Sequence, residues 1–146
     1  TEIYTLSLHD ALPICDLLSS NIERIESIAP QTAMDYKIRL GQKMAEMADR
    51  ENFSFVQADL LREIAIFSEK VDIHEEVIRL KSHLEQLRQL IFLNEPTGKT
   101  LEFILQEMAR EANTITAKAN NAECSQKVVE MKSLIEKIRE QIQNVE

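Results

Sequence analysis

Two runs of this sequence concentrate the side chains that could do chemistry, and both have helical periodicity. At about 100° per residue, the first run places polar groups in one stripe beside an apolar seam: Asp72, Glu76, Arg79 and His83. The second run has two polar stripes, one of Glu107, Glu111 and Lys118 and one of Gln106, Arg110 and Asn113. If the two helices pair antiparallel across a short turn, these groups converge into one polar cleft.

The residue types in this cleft suit phosphodiester cleavage with a divalent cation. Glu107 and Glu111 are four residues apart, so two carboxylates on one helical face are within reach of a single ion. Oxygen ligands of this kind favour Mg²⁺ or Mn²⁺, and a nearby histidine favours Mn²⁺. Such an ion would polarise a phosphate oxygen and lower the pKa of a bound water, while His83 transfers a proton. Arginines would hold the phosphate or the developing charge.

These arguments predict a set of site residues with separate roles. The predicted catalytic residues are His83, Glu107, Glu111 and Arg110. The predicted metal ligands are Glu76, Glu107 and Glu111, with Glu75 left open as an alternative, and Arg79 and Lys118 are predicted to contact phosphate.

A purely structural interpretation of the same residues stays open. Alternating Glu and Arg on a solvated helix commonly forms intrahelical ion pairs, each worth roughly a few tenths of a kcal/mol. His74 is expected at the surface of a first helical turn, and Cys124 is expected to fill a core position. Gly98-Lys99-Thr100 is similar to the end of a phosphate-binding loop, but the preceding strand and the earlier glycine of that motif are absent.

Composition predicts an all-α protein. The 146 residues include two Gly and three Pro, and 44% are hydrophobic but only 5% aromatic, which is less than sheets require. The formal net charge of −8 argues against capture of a nucleic-acid backbone by Lys and Arg alone. It does not argue against an enzyme that takes up a divalent cation from solution.

Cysteine usage and hydropathy predict an intracellular location. No apolar run approaches the roughly 18 residues needed to span a bilayer, and the start of the chain has no secretory pattern. Cys15 and Cys124 are isolated and lack metal-ligand spacing, which is typical of a reduced intracellular chain.

The first residues do not match the rest of the chain. Thr1–Leu8 alternates like a strand, Pro13 is expected to interrupt a helix, and no Met begins the sequence. The string TEIYTLSLHDALPI resembles the translation of a sequencing adapter. We therefore predict that residues 1–15 are a non-native or truncated segment, with a strand from a domain cut off upstream as the alternative.

From Asp16 onward the pattern predicts six helices in an elongated antiparallel bundle. Ala29-Pro30 is expected to end the first helix, whose inward residues are Leu17, Leu18, Ile22, Ile25 and Ile28. The second is expected at about 31–49, with Met34, Ile38, Met44 and Met47 inward. The third follows Ser54 as a cap and ends near Val71, with Val56, Leu60, Leu61, Ile64 and Phe67 inward.

The remaining three helices have the strongest apolar seams. The fourth is expected to open at Asp72, and the turn Asn94–Gly98 joins it to the fifth. The sixth follows Asn120-Asn121 and is coiled-coil-like, with a seam at Cys124, Val128, Met131, Ile135, Ile138, Ile142 and Val145.

Several collinear pieces of the chain carry a family resemblance: Leu61–Phe67, Asp72–His83, Glu95–Lys99, Leu101–Ile115, Lys118–Asn120, Val128–Lys132 and Ile135–Asn144. Together they resemble the C-terminal helical domain of the YicC-like family, bacterial cytoplasmic endoribonucleases. The resemblance is dense over residues 60–146 and looser over 16–59. The predicted organisation is therefore a 1–15 segment, a helical middle region at 16–59 and a YicC-like helical domain at 60–146.

The resemblance implies metal-dependent cleavage of single-stranded RNA, an N-terminal α+β domain ahead of this one, and a ring-like homo-oligomer, a hexamer. Lys99 and Asn113 join Arg79 and Lys118 as the predicted RNA- or phosphate-binding residues. Thr116-Ala117 stands where the family has Gly-Ser, and Thr100 stands where it more often has a basic residue. If the N-terminal domain supplies RNA-binding surface or subunit contacts, this chain alone is expected to be inactive. The alternative function is a non-catalytic helical module for oligomerisation or for presenting RNA.

Overall fold

The computed structural model describes residues 9–48, 53–93, 98–119 and 121–143, and every described secondary-structure element is a helix. The helices are α1 (Ala11–Glu46), α2 (Phe53–Lys70), α3 (His74–Leu93), α4 (Gly98–Ala119) and α5 (Ala122–Gln143). The all-α prediction is confirmed. None of these helices is long and apolar enough to cross a membrane.

The N-terminal half of α1 forms an antiparallel four-helix bundle with α3, α4 and α5. Around the bundle, α1 contacts α3 and α5, while α4 contacts α3 and α5. The α1–α3 pairing is antiparallel, because Asp16 pairs with Arg88 while Glu26 pairs with Lys81. One continuous core fills the space between the four helices, and its fully buried large side chains include Leu18, Ile25, Leu87, Leu105, Met108, Ile115 and Met131.

The predicted seam of the C-terminal helix is confirmed. Six of its seven predicted positions are buried, namely Cys124, Val128, Met131, Ile135, Ile138 and Ile142, and the seventh, Val145, lies outside the described residues. The helix packs against both α1 and α4, so the seam contributes to a bundle core between several helices.

The predicted helix break at Pro30 is wrong, because α1 continues through this residue as one helix of 36 residues. A proline inside a helix removes one backbone hydrogen bond and costs about 3 kcal/mol. Both flanks of Pro30 have partners that offset this cost, since Ile28 lies in the bundle core and Tyr36 packs on α2. The expected interruption at Pro13 is also wrong. Pro13 is the third residue of α1, in the first turn, where the backbone N–H has no intrahelical partner.

The start of α1 contributes to the bundle. Ala11 and Cys15 are buried in its core, with Leu12 and Ile14 packed against them. The strand pattern at Thr1–Leu8 lies outside the described residues. The non-native or truncated origin of residues 1–15 stays a prediction.

The second half of α1 leaves the bundle and pairs with α2 to form a two-helix arm. The Tyr36 and Phe67 rings stack with centroids 3.9 Å apart, and the Tyr36 hydroxyl donates to a Glu63 carboxylate oxygen at 2.8 Å. The predicted inward face is wrong at Met34, Ile38 and Leu61, each of which is more than half exposed. A two-helix arm has only one interface, so it can cover one stripe of each helix.

Smaller differences also have local causes. Leu17 is 55% exposed because the adjacent Leu18 occupies the core-facing position. Helix α2 begins at Phe53, so Ser54 lies inside its first turn and does not cap it. Helix α3 begins at His74, not at Asp72, and the Asp72 carboxylate accepts the His74 backbone N–H at 3.0 Å. The predicted turn before Gly98 lies outside the described residues.

Candidate functional site

A line of polar side chains follows the interface between α3 and α4. The apolar seams of both helices face the core, which leaves the flanking positions of α3 and α4 beside each other. We call this line the α3–α4 strip and define it as Glu76, Arg79, His83, Glu107, Glu111 and Lys118. The predicted antiparallel pairing of these two helices is confirmed by the contacts described next.

Arg79 is the centre of the strip. Its Nε donates to Glu111 Oε1 across the helix interface at 2.8 Å. The same guanidinium group lies 3.8 Å from Glu76 Oε1 and 3.5 Å from Glu75 Oε2. The hydrogen bond to Glu111 raises the pKa of Arg79. One arginine therefore holds carboxylates from both helices.

Lys118 makes a second link between the helices. Its Nζ donates to Glu76 Oε1 at 2.7 Å and to the Asp72 backbone carbonyl at 3.4 Å. The hydrogen bond to Glu76 raises the pKa of Lys118. Glu76 is only 3% exposed, and its second oxygen, Oε2, is buried without a hydrogen-bond partner.

His83 and Glu107 continue the strip toward the other end of the interface. Arg79 pairs with Glu111, and His83 and Glu107 are each four residues further along the antiparallel pair. This register places them at the same level of the interface, one turn from Arg79. His83 is half-buried, and its Nδ1 is buried without a hydrogen-bond partner.

Three predicted site residues lie apart from this strip. Arg110 has a side chain that is 74% exposed and pairs with Glu107 within α4 at 3.6 Å. Asn113 is exposed, about 200° around α4 from Glu111. Lys99 lies at the beginning of α4, roughly 28 Å along the helix from Lys118 at about 1.5 Å per residue. It lines a separate surface depression with Phe103 and Gln143.

The carboxylates proposed as metal ligands meet in part. Glu76 Oε1 and Glu111 Oε1 both contact the Arg79 guanidinium group, whereas the described contact of Glu107 is with Arg110. Within the described ranges, no three His, Cys, Asp or Glu side chains are grouped closely enough to hold a metal ion. Mg²⁺ in proteins commonly uses one or two carboxylates and several waters. Glu76 and Glu111 could supply two such carboxylates only if Arg79, which contacts both of them, moved away.

The sequence predicted the strip but not the contacts within it. The two-stripe pattern identified Arg79, Glu111 and Lys118, yet it left intrahelical and interhelical pairing open. In the structure, the 2.8 Å Arg79–Glu111 contact crosses between helices, and the 3.5 Å contact with Glu75 lies within one helix. The Asp72 carbonyl was missed as a partner of Lys118, because no side-chain pattern reports a backbone acceptor.

A family model and two curated relatives both identify the family that the sequence resembles. A family model described as "Endoribonuclease YicC-like, C-terminal" matches residues 25–146. A curated protein of Clostridioides difficile (strain 630) named "Probable endoribonuclease YicC" is 42% identical over 132 residues, which cover 90% of this chain and 45% of the relative. A protein of the same name from Haemophilus influenzae is 33% identical over 133 residues, covering 85% of this chain and 45% of the relative. The chain thus spans less than half the length of these curated relatives.

Proposed function

The chain belongs to the YicC-like endoribonuclease family through that family's C-terminal domain, and we propose that it forms the site-bearing part of a divalent-metal-dependent enzyme that cleaves single-stranded RNA. The observation that carries this proposal is the α3–α4 strip, in which Arg79 and Lys118 lie beside the carboxylates of Glu76 and Glu111. The printed names of the relatives support RNA cleavage as the reaction.

The cationic members of the strip are suited to binding the phosphodiester. The Arg79 guanidinium group is half-exposed, so its outer N–H groups are accessible to a phosphate oxygen. Lys118, with 37% of its side chain exposed, adds a second cation on the same face. We propose that these two residues position the scissile phosphate. Asn113 and Lys99 would contact RNA further from that phosphate.

His83 is the proposed proton-transfer group. An imidazole can both accept and donate a proton near neutral pH. The unpartnered Nδ1 leaves one ring nitrogen without a competing protein contact. Glu107 lies at this end of the strip and pairs with the exposed Arg110 at 3.6 Å. In the proposed arrangement, Glu107 orients the imidazole and Arg110 stabilises charge on the phosphate.

Glu76 and Glu111 are the proposed holders of Mn²⁺ or Mg²⁺, with Glu107 as a third oxygen donor from the adjacent turn. A bound divalent ion would supply Lewis-acid stabilisation of charge on the phosphate oxygens. The chain's own contribution is to hold two carboxylates from different helices against the Arg79 guanidinium group. Both carboxylates are buried.

The test is cleavage of a fluorescently labelled single-stranded RNA in Mn²⁺, Mg²⁺ or EDTA. Because the chain spans less than half of its relatives, it is assayed alone and in place of the matching part of the Clostridioides difficile protein. We expect metal-dependent cleavage by the chimaera, reduced at least tenfold by Glu111→Gln and by His83→Ala. Glu85→Gln is the matched control, because Glu85 is exposed on the same helix outside the strip.

Two results would overturn parts of this proposal. Equal cleavage by wild type, Glu107→Gln, Glu111→Gln and His83→Ala would show that the active site does not lie in the α3–α4 strip. Absence of RNA cleavage by both the chain and the chimaera, with intact helical structure, would remove the enzymatic function.

A second function, oligomerisation, is favoured by the arm. Met34, Ile38, Leu61 and Ile66 are each about half exposed on α1 and α2. Exposed apolar side chains on one projecting element are typical of protein contact surfaces. We propose that the arm contributes to a homo-oligomer, a hexamer in the family's form, and that the protein works in the cytoplasm. A non-catalytic module that oligomerises or presents RNA is the alternative.

Sedimentation velocity separates these possibilities. We expect a discrete oligomer for the wild-type chain and a smaller species for Ile38→Glu with Leu61→Glu. Phe103→Glu is the control, since Phe103 is 61% exposed on α4 outside the arm. An oligomer that is indifferent to RNA and metal, together with an inactive chimaera, favours the non-catalytic module.

A further inference from the structure

Glu76 is the least exposed of the buried polar residues in the described part of the chain. Only 3% of its surface is exposed, and its Oε2 has no hydrogen-bond partner. Its other oxygen accepts from Lys118 at 2.7 Å and lies 3.8 Å from Arg79. A buried ionised carboxylate requires compensation by nearby positive charge. Any process that moves Lys118 or Arg79 away must therefore replace that charge.

The charge balance around Glu76 is negative. Four carboxylates surround the site, at Asp72, Glu75, Glu76 and Glu111, and two cations face them, Arg79 and Lys118. Two negative charges are thus in excess. A phosphate that approaches this site alone meets carboxylates already paired with the groups that would bind it, and the surplus charge repels it.

Phosphate and the glutamates compete for the same donors. Arg79 Nε and Lys118 Nζ are both engaged by carboxylate oxygens at hydrogen-bond distance. If they turn toward a phosphodiester, Glu76 and Glu111 lose their partners while remaining buried. A divalent cation held by Glu76 and Glu111 would restore the balance by supplying positive charge in place of the two side chains.

Building on the proposed function, we propose that the α3–α4 strip binds a phosphodiester and a divalent cation as a linked pair, each raising the affinity for the other. In this exchange model, Arg79 and Lys118 neutralise Glu76 and Glu111 in the free protein. In the loaded protein they bind phosphate, and the cation neutralises the two carboxylates in their place. The ion pairs therefore hold the cation site closed until substrate arrives. By linkage, the two ligands increase each other's affinity by the same factor.

The test measures Mn²⁺ binding by the electron paramagnetic resonance signal of free Mn²⁺, with and without a 2′-O-methyl single-stranded oligoribonucleotide. Mn²⁺ bound by the oligonucleotide alone is measured separately and subtracted. We expect the oligonucleotide to tighten Mn²⁺ binding at least fivefold. Mn²⁺ should tighten oligonucleotide binding, followed by fluorescence anisotropy, by the same factor.

Two substitutions test the exchange model through the direction in which they change the affinity for Mn²⁺ and for the oligonucleotide. Arg79→Gln frees Glu111 and part of Glu76, so it should tighten Mn²⁺ binding in the absence of oligonucleotide by several fold and reduce the coupling. Glu76→Gln frees Lys118, so it should strengthen oligonucleotide binding without metal and abolish the effect of Mn²⁺. Arg24→Gln is the matched control, because Arg24 also bridges two helices to a glutamate, Glu123, but without a buried carboxylate. Thermal melting verifies that each variant folds, and Glu111→Gln replaces Glu76→Gln if the latter unfolds.

The outcomes distinguish this inference from the proposed function. If Mn²⁺ and the oligonucleotide both bind but do not affect each other, or if Arg79→Gln weakens Mn²⁺ binding, the exchange model fails while the site assignment stands. If the protein takes up a proton, and not Mn²⁺, when the oligonucleotide binds, the exchange model also fails. If wild type binds no Mn²⁺ that depends on Glu76 or Glu111 under any condition, both the exchange model and the metal site fail.

Discussion

At the scale of single residues, the decisive feature is that a carboxylate is buried and its neutralising groups are at the surface. Glu76 is almost fully buried, whereas the side chains of Arg79 and Lys118 are 47% and 37% exposed. Such an arrangement contributes less to stability than its short distances suggest, because the cations lose little hydration and the carboxylate loses most of its own. Because the two cationic side chains are exposed, they can move away from the buried carboxylate.

We expect Lys118→Met to destabilise the protein by about 1–3 kcal/mol, the cost of leaving a buried acceptor without its partner. The double variant Lys118→Met with Glu76→Leu should recover most of this loss, because an apolar pair removes the need for compensation. Chemical denaturation of the single and double variants measures both changes. The control is Lys127→Met, which removes a surface pair with Glu130 and should change stability by less than about 0.5 kcal/mol. A double variant as unstable as Lys118→Met would contradict the account of Glu76.

Sequence alone predicts which residues share a face, but it does not predict which of them pair. The spacing of Glu76, Arg79 and His83 follows from helix geometry and required no tertiary information. The choice of Glu111 over Glu75 as the close partner of Arg79 depends on the distance between two helices. Glu107 illustrates the limit: the four-residue spacing predicted a shared ion with Glu111, yet the described side chains turn to different arginines.

At the scale of elements, the long helix α1 has two roles. Its N-terminal half lies in the bundle core, and its C-terminal half supports the arm with α2. Pro30 lies where one role changes to the other. A proline there removes the hydrogen bond that residue 30 would donate to Glu26 and favours a local bend.

We expect Pro30→Ala to raise the free energy of unfolding by about 2 kcal/mol. The substitution restores a helical hydrogen bond, and Pro30 is exposed, so little packing is lost. Urea denaturation followed by circular dichroism measures the change. If Pro30→Ala is neutral or destabilising, the continuous helix through this position is not the state that the protein adopts in solution.

Gly41 offers a separate test of the arm. A Cβ at this position would meet nothing within 4 Å, and the residue lies inside α1. We expect Gly41→Ala to stabilise the arm by about 0.5–1 kcal/mol through lower backbone entropy of the unfolded chain. Native-state hydrogen exchange should show slower exchange around residues 37–45 with unchanged exchange in α4. Equal slowing in both places would mean that the arm and the bundle unfold as one unit.

The success of element prediction depended on how many neighbours each helix has. Helices α3, α4 and α5 lie in the bundle, and their buried seams followed from heptad-like spacing, although the predicted start of α3 did not hold. In the arm, each helix covers only one stripe, so apolar residues such as Ile38 exceed the available partners and the inward face cannot be read from hydrophobicity. The break at Pro30 was wrong because a local rule was outweighed by packing on both sides of it.

At the scale of the whole molecule, stability is concentrated in the bundle. The bundle core is continuous across four helices, whereas in the described part of the arm only Leu40 is a buried hydrophobic residue. Both cysteines are free and buried within the bundle. Their thiols therefore report on the unfolding of the bundle and not on motion of the arm.

Alkaline pH should unfold the protein through groups that hold their protons more tightly when folded. Burial raises the pKa of the Cys15 thiol from 9.0 to about 11, and burial also raises the pKa of Cys124. Because the folded-state pKa lies above the unfolded one, this stability is fully present below pH 9 and is lost as the pH rises through 11. The raised pKa of Lys118 acts in the same direction.

We expect the urea midpoint to be steady from pH 7 to 8.5 and to fall above pH 9, with a shallower fall in Cys15→Ala. Comparing the two proteins at each pH isolates the thiol from the general effect of lysine deprotonation. A wild type and a Cys15→Ala variant with parallel pH profiles would show that ionisation of this thiol is not linked to folding.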